Sequence, residues 1–149
     1  MDLEQDVNAM RILGLDVGDR RVGIALSDAL GLTAQRLRVL ERTGAASDVA
    51  AVEALVAEHQ VARVIVGLPL TMAGAQGPQA KKVLAFAQQL RRRLSVPVDC
   101  VDERLTTVQG ERALIETGAS RRKRKQVIDQ VAAQLILQHY LDAQRNRTN

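Results

Sequence analysis

The stretch from residue 11 to residue 28 restricts the fold more than any other part of the chain. Two apolar runs, residues 11–17 and 22–29, are separated only by Gly18 and a short polar turn. Strand-forming runs this close together pair as an antiparallel β-hairpin. Asp16 lies within the first run, where a buried carboxylate is costly unless something compensates its charge. Asp16 is therefore either a ligand for a divalent metal, which could itself hold a phosphate, or a turn residue placed inside the strand.

The rest of the chain alternates strand patterns with helical patterns. Residues 61–66 form a short, β-branched, nearly continuous apolar run, as expected of a buried parallel strand. The elements predicted after the hairpin are a strand at 33–41, a helix with Ser47 as N-cap, a strand at 61–66, a helix from Pro78 through Leu94, a strand at 96–101, a helix from a capping box at Thr106 and Gln109 to Gly118, and a last helix over 125–143.

This order predicts an α/β domain with a five-stranded mixed sheet, in which three antiparallel strands are followed by two parallel ones and helices cover both faces. We expect one domain over residues 11–143. Residues 1–10 are polar and aperiodic and are predicted to be a disordered extension, with Met10 as an alternative start. Residues 144–149 are predicted to be a disordered tail.

Composition excludes several classes of protein. Phe86 and Tyr140 are the only aromatic residues, so the chain has no platform of aromatic rings on which single-stranded bases could stack. Cys100 is the only cysteine and the two histidines are isolated, which excludes a disulfide framework and argues against a zinc site. No apolar stretch approaches membrane-spanning length. We therefore expect a cytoplasmic protein with no membrane partner.

The chain carries a net charge of +4, and its cations are unevenly distributed. Five consecutive cations, Arg121, Arg122, Lys123, Arg124 and Lys125, precede the last predicted helix, and residues 91–93 are three arginines. A polyanion such as nucleic acid is the partner that such runs favour. The alternative is a solvated helix end. We predict that the longer run holds phosphates without reading sequence, and that Arg92 and Arg93 extend the same track.

Two further carboxylate positions accompany Asp16. Asp102 and Glu103 lie at the end of the fifth strand, where ligand sites of parallel sheets collect; the alternative for one of them is a salt bridge with Arg104. Asp129 falls inside the apolar arc of the last helix. A carboxylate on a buried helix face needs a partner, and the alternative for Asp129 is a hydrogen bond to a backbone or arginine donor.

Carboxylates on strand one, strand five and the last helix could converge at one edge of the sheet. Ligands that offer only oxygen suit Mg²⁺ or Mn²⁺. Such ions, bound by a few carboxylates and completed by water and phosphate oxygens, carry out phosphodiester hydrolysis. The pattern therefore predicts a metal-dependent hydrolase acting on ester bonds.

Four blocks in this order identify a family. They are residues 14–23 (GLDVGDRRVG), residues 66–74 (VGLPLTMAG) with Gly77 and Pro78, residues 102–107 (DERLTT), and Asp129 before Ala132, Ala133 and residues 135–141 (LILQHYL). Together they resemble the YqgF/RuvX family of the ribonuclease H-like superfamily over residues 11–141. The resemblance implies a ribonuclease H-like fold and a metal-dependent nuclease whose catalytic, metal-binding residues are Asp16, Glu103 and Asp129.

The resemblance also suggests substrates. Family members are assigned to 5′-end maturation of the 16S ribosomal RNA precursor, which would bring the protein to ribosomal particles, or to cleavage of Holliday junctions. The loop over residues 71–77 is predicted to contact the substrate through its backbone N–H groups. Besides the basic run, candidate nucleic-acid contacts within the four blocks are Arg20, Thr71, Gly74, Arg104, Thr106 and Thr107.

Two other classes of function stay open at this stage. An Asp-x-Gly hairpin also occurs in ATP-binding folds of the actin and hexokinase type, but these need two such domains and 149 residues hold one. A non-catalytic ribosome- or transcription-associated binder is the second, and it would bind RNA equally well without its carboxylates. We expect a monomer or a weak homodimer.

Overall fold

The computed structural model describes residues 11–103 and 121–148, with the side chains of 121–129 and 148 excepted. The predicted helix from Thr106 to Gly118 and the extension 1–10 lie outside these residues. Five strands are present: β1 (Ile12–Val17), β2 (Arg21–Ser27), β3 (Ala34–Glu41), β4 (Arg63–Leu68) and β5 (Val98–Asp102).

The strands form one mixed sheet in the order β3-β2-β1-β4-β5. β1 pairs antiparallel with β2, and β2 with β3. β4 pairs parallel with β1 on one side and with β5 on the other. The predicted fold class, with three antiparallel strands followed by two parallel ones, is confirmed.

Three helices are described: α1 (Ala45–Glu58), α2 (Pro78–Arg93) and α3 (Arg121–Thr148). The prediction of Ser47 as N-cap is wrong, because α1 already begins after Gly44. Gly44 is the N-cap, and Asp48 accepts at Oδ1 a hydrogen bond of 3.0 Å from the backbone N–H of Thr43, which precedes the helix. The sequence favoured Ser47 because serine is a preferred N-cap residue and glycine a weaker one.

α3 is longer at both ends than predicted. It begins at Arg121 rather than Lys125, so the five-cation run is helical and not part of a loop. Arginine and lysine are strong helix formers, which explains how the run joins the helix. At the other end α3 continues through the predicted tail to Thr148, and Asp142 pairs there with Arg145 one turn later. None of the described helices is both long and apolar enough to cross a membrane.

The sheet is covered on both faces, as predicted, and side chains alternate between them. Leu13, Leu15 and Val17 of β1 lie in the larger core cluster, against apolar residues of α1 and α2. Gly14 and Asp16 alternate with these three residues along β1, so they face the other side of the sheet, which α3 covers. Two smaller clusters form on that side, joining Ala25 to Leu137 and Ile65 to Ile136.

α3 packs unusually close to the sheet, because glycines stand beneath it. A Cβ atom added at Gly14 would lie 2.8 Å from Leu137 Cβ and 3.3 Å from the carbonyl oxygen of Ala133. One added at Gly67 would lie 2.5 Å from Ile136 Cδ1. Real Cβ atoms do not approach so closely, so the two glycines set the distance between helix and sheet.

The contacts along β1 also give the direction of α3. Ile12 packs near Tyr140, whereas Gly14 faces Ala133 and Leu137. The helix therefore runs antiparallel to β1, and its N-terminal turns lie toward the carboxyl end of that strand.

The glycine contacts yield a stability prediction. We expect Gly14→Ala to lower the free energy of unfolding by roughly 1–3 kcal/mol through overpacking. Gly67→Ala should cost less, because the far end of the Ile136 side chain can shift whereas Leu137 Cβ is fixed to the helix backbone. Chemical denaturation followed by circular dichroism measures both.

Gly77→Ala is the matched control. Its Cβ would meet only Thr71 Cγ2 at 3.5 Å, and its φ of −75° suits alanine. This variant should be neutral or slightly more stable. Equal losses in all three variants would mean that helix–sheet contact is not the cause.

Candidate functional site

Asp16 occupies the penultimate position of β1 and faces α3. Its partner across the antiparallel pair is Gly23, which has no side chain. Only 8% of Asp16 is exposed. The central position of β1 in the sheet gives this carboxylate a rigid base, so the prediction that it lies on a strand is confirmed.

Glu103 follows β5 directly and is 2% exposed. It comes two residues after Val101, which packs beside Ile136 of α3. Asp102, by contrast, is half-buried and pairs across the sheet with Leu68. Burial thus distinguishes the two carboxylates, since Glu103 is enclosed and Asp102 is partly open to solvent.

The strand register brings Asp16 and Glu103 to the same edge of the sheet. Leu15 pairs with Val66, and the next residue of β4, Gly67, pairs with Val101. Asp16 therefore stands level with Val101, two strands away, at a backbone separation of about 10 Å. The strand between them contributes Gly67 at this level, so no β4 side chain rises between Asp16 and Val101.

Asp129 belongs to α3, one turn before Ala133. Four helical residues rise about 6 Å, and two strand residues span about 6.6 Å. Because Ala133 contacts the Gly14 position and α3 is antiparallel to β1, the helical turn that contains Asp129 stands level with Asp16. The Asp129 side chain is outside the described part of the structure, so its participation belongs to the proposal below.

The donor set suits a hard divalent cation. Asp16 and Glu103 offer only oxygen, and both are buried, which makes a compensating positive charge favourable. Among the side chains that the structure describes there is no group of three metal-ligating residues; Asp129, the third predicted ligand, is not among them. Burial raises the pKa of the Cys100 thiol, which packs against the core on the α1 and α2 face of the sheet, and the charge of Arg91 partly offsets this.

The hairpin turn beside Asp16 is held by side chains that sequence reasoning missed. The Gly18 N–H donates to the Arg21 carbonyl at 2.8 Å, and Arg20 is exposed at the tip. The Gly18 carbonyl accepts a hydrogen bond of 3.0 Å from Arg42. Neither Arg42 nor its partner Asp48 belongs to a motif, so only the tertiary contact reveals them.

The loop after β4 is more self-contained than predicted. Thr71 and Gly74 are exposed. However, the N–H groups of Thr71 and Gly74 donate to carbonyls within the loop, and that of Ala75 donates to Thr71 Oγ1 at 3.0 Å. These three N–H groups are therefore already occupied within the loop, and contact of the loop with a substrate stays a prediction.

The basic residues divide between two ends of the molecule. The run at 121–125 occupies the first turns of α3, on the side of Asp129, while Arg104, Thr106 and Thr107 lie outside the described residues. Arg91 donates to the carbonyl of Val98, the first residue of β5, at the end opposite Glu103. Arg93 pairs with Glu53. The prediction that Arg92 and Arg93 extend the track is wrong, because α2 carries them away from the carboxylates.

Comparisons with known proteins agree with this geometry. The family model "RuvX: Holliday junction resolvase" matches residues 10–143. A protein of Moorella thermoacetica named "Putative pre-16S rRNA nuclease" is 54% identical over 133 residues, covering 89% of this chain and 95% of its own length. A protein of Myxococcus xanthus with the same name is 49% identical over 136 residues, covering 91% of this chain and 90% of its own.

Solved structures support the fold. T. thermophilus RuvC in complex with a Holliday junction substrate aligns with a TM-score of 0.53 and 20% identity, covering 91% of this chain and 96% of that one. At this identity the likeness concerns the fold alone. The family model and the relatives near 50% identity, however, extend over almost the whole chain. The chain belongs to the RuvX family of nucleases.

Proposed function

We propose that this protein is a metal-dependent endonuclease that hydrolyses nucleic-acid phosphodiesters, with Asp16, Glu103 and Asp129 as the metal-binding catalytic residues. The observation that carries the proposal is the pair of buried carboxylates at one sheet edge, Asp16 on β1 and Glu103 directly after β5. The helical turn of Asp129 would bring the third carboxylate to the same place.

The residues themselves define what the site would do. Three carboxylates would hold Mg²⁺ or Mn²⁺, which when bound would activate water and stabilise the charge of an in-line displacement. Asp16 provides a fixed oxygen donor from the centre of the sheet. Gly23 and Gly67 keep side chains away from its two flanks, and Arg20 is exposed at the adjacent turn, where a phosphate could be held.

The substrate we favour is the precursor of 16S ribosomal RNA, in the maturation of its 5′ end. Relatives near 50% identity are named for nuclease activity on this precursor. The excess of cations and the helical run beside Asp129 suit RNA phosphates. Ribosomal particles in the cytoplasm are then the expected partners. A Holliday junction is the second candidate, favoured by the description of the family model; that reaction needs two symmetric cuts and therefore a dimer.

A side-by-side cleavage assay tests the function. Precursor 16S RNA containing the 5′ junction, an unstructured single-stranded RNA and a four-way DNA junction are each incubated with Mg²⁺ or Mn²⁺ and with chelator. We expect metal-dependent cleavage of the precursor at the 5′ junction. Paired, symmetric nicks in the DNA junction instead would favour the second candidate, and binding without cleavage of any substrate would refute the proposed enzyme.

The three carboxylates should be individually essential. We expect Asp16→Asn, Glu103→Gln and Asp129→Asn each to abolish cleavage while the fold survives, because each removes charge from a metal site and not volume from the core. Turnover and thermal unfolding measure the two effects. Asp99→Asn and Asp142→Asn, on β5 and α3, are matched controls and should retain activity. Wild-type turnover in Asp129→Asn would mean that Asp129 is structural.

The basic run should govern affinity and not turnover. Replacing Arg122, Lys123 and Arg124 by Gln should weaken substrate binding and reduce the slope of log K against log salt by roughly 2–3, since each phosphate that a cation neutralises adds about 0.7–0.9 to that slope. The rate at saturating substrate should change much less. A triple control of equal charge, Arg36, Arg38 and Arg147 to Gln, separates local binding from net charge. An unchanged slope in the first variant would assign the run to a solvated helix end.

A further inference from the structure

A single guanidinium joins four parts of the molecule around the turn that follows Asp16. Arg42, directly after β3, donates from Nη1 to the Gly18 carbonyl and from Nε to Asp48 Oδ2, both at 3.0 Å. Its Cζ lies 5.0 Å from the centre of the Phe86 ring of α2. Arg42 thereby ties the end of β3 to three other elements: the turn between β1 and β2, the start of α1 and the side of α2.

The charge balance explains why this position needs an arginine. Asp48 is only 1% exposed, and a carboxylate buried to this degree requires a charged partner. One of its oxygens accepts from Arg42 and the other from the Thr43 N–H. The planar guanidinium also has N–H groups that point to a second acceptor. One of them, on Nη1, donates to the Gly18 carbonyl. Lysine offers a single ammonium and cannot reproduce the same fixed fork.

We infer that Arg42 is a positioning residue for Asp16. Gly18 is two residues beyond Asp16, and its carbonyl is fixed by Arg42 to the rigid pair formed with Asp48. The backbone N–H of Arg42 also donates to the Arg20 carbonyl at 2.9 Å, so the same residue fixes both sides of the turn. The inference rests on the proposed function in that Asp16 is taken as a metal ligand.

The physical reason lies in the tolerance of metal sites. A ligand must be held within about 0.5 Å of its productive position, and groups that orient a ligand therefore matter almost as much as the ligand. Without the guanidinium the turn loses its tie to α1 and, among the described residues, keeps only the pair of Lys82 with Asp19 as a link to α2. Lys82 still pairs with Asp19 at 3.3 Å, but both of these side chains are exposed and give a weaker anchor.

The test compares Arg42→Lys and Arg42→Ala with Val52→Ala, a core variant of α1 that removes none of the hydrogen bonds of Arg42 to Asp48 and Gly18. Mn²⁺ affinity is titrated without nucleic acid, and kcat and KM are measured on the substrate that wild type cleaves. We expect Mn²⁺ affinity and kcat to fall about 10-fold or more in both Arg42 variants. KM for the nucleic acid should stay within about twofold, because the phosphate-binding residues are unchanged. Val52→Ala should lose stability with wild-type Mn²⁺ affinity.

The outcomes separate the two proposals. Arg42 variants that lose stability but keep wild-type Mn²⁺ affinity would overturn the inference and leave the nuclease intact. A wild type whose Mn²⁺ binding depends on Asp16 but which cleaves no substrate would refute the proposed function, while the Mn²⁺ titration of the variants still decides the role of Arg42. Absence of Asp16-dependent Mn²⁺ binding would refute both. If Arg42→Ala does not fold, Arg42→Lys, which keeps the charge beside Asp48, carries the test.

Discussion

The close contact of α3 with the sheet is the constraint on which the rest of the structure depends. Gly14 and Gly67 let the helix backbone approach to a distance at which a Cβ would collide with Leu137 or Ile136. The helix that carries Asp129 is thereby held against the strand that carries Asp16. Hydrogen bonds to β3 fix the helix as well. Gln134 donates to the carbonyl of Ala34, and Gln138 accepts from the N–H of the same residue, at the start of β3. The geometry of the proposed site thus follows from packing between small residues.

The fold treats its buried carboxylates in two ways. Asp48 lies in contact with Arg42 and a backbone N–H, and its charge serves to connect the helices with the hairpin turn. Asp16 and Glu103 lie at the carboxyl end of the parallel strands, where ligands collect in sheets of this kind. The first carboxylate stabilises the framework, and the proposed site uses the other two for a metal. The Gly18 turn is the point at which the two systems meet.

The fold class was predictable because apolar periodicity depends on local sequence. The hairpin, the buried strand β4 and the order of helices and strands all follow from runs of residues that must be buried. Helix ends were less predictable. The first helix begins at Ala45 and not after Ser47, and α3 includes the cations at 121–125, because the end of a helix depends on what it contacts and not only on residue type. The location of Arg92 and Arg93 away from the site followed from the direction of α2, which no local pattern encodes.

By itself the sequence determined the α/β sheet, the placement of Asp16 on a central strand and the family, since these depend on periodicity and on motifs within short blocks. Only the tertiary structure decided that Glu103 is buried and Asp102 half-buried, because burial depends on neighbours distant in the chain. The same holds for the contacts of Gly14 and Gly67 with α3 and for the link from Arg42 to Gly18, which joins residues 24 apart. A residue outside any motif, such as Arg42, can be assigned a role only when its contacts in the folded protein are known. The sequence therefore predicted the carboxylates of the proposed site but not the residue that we infer to position Asp16.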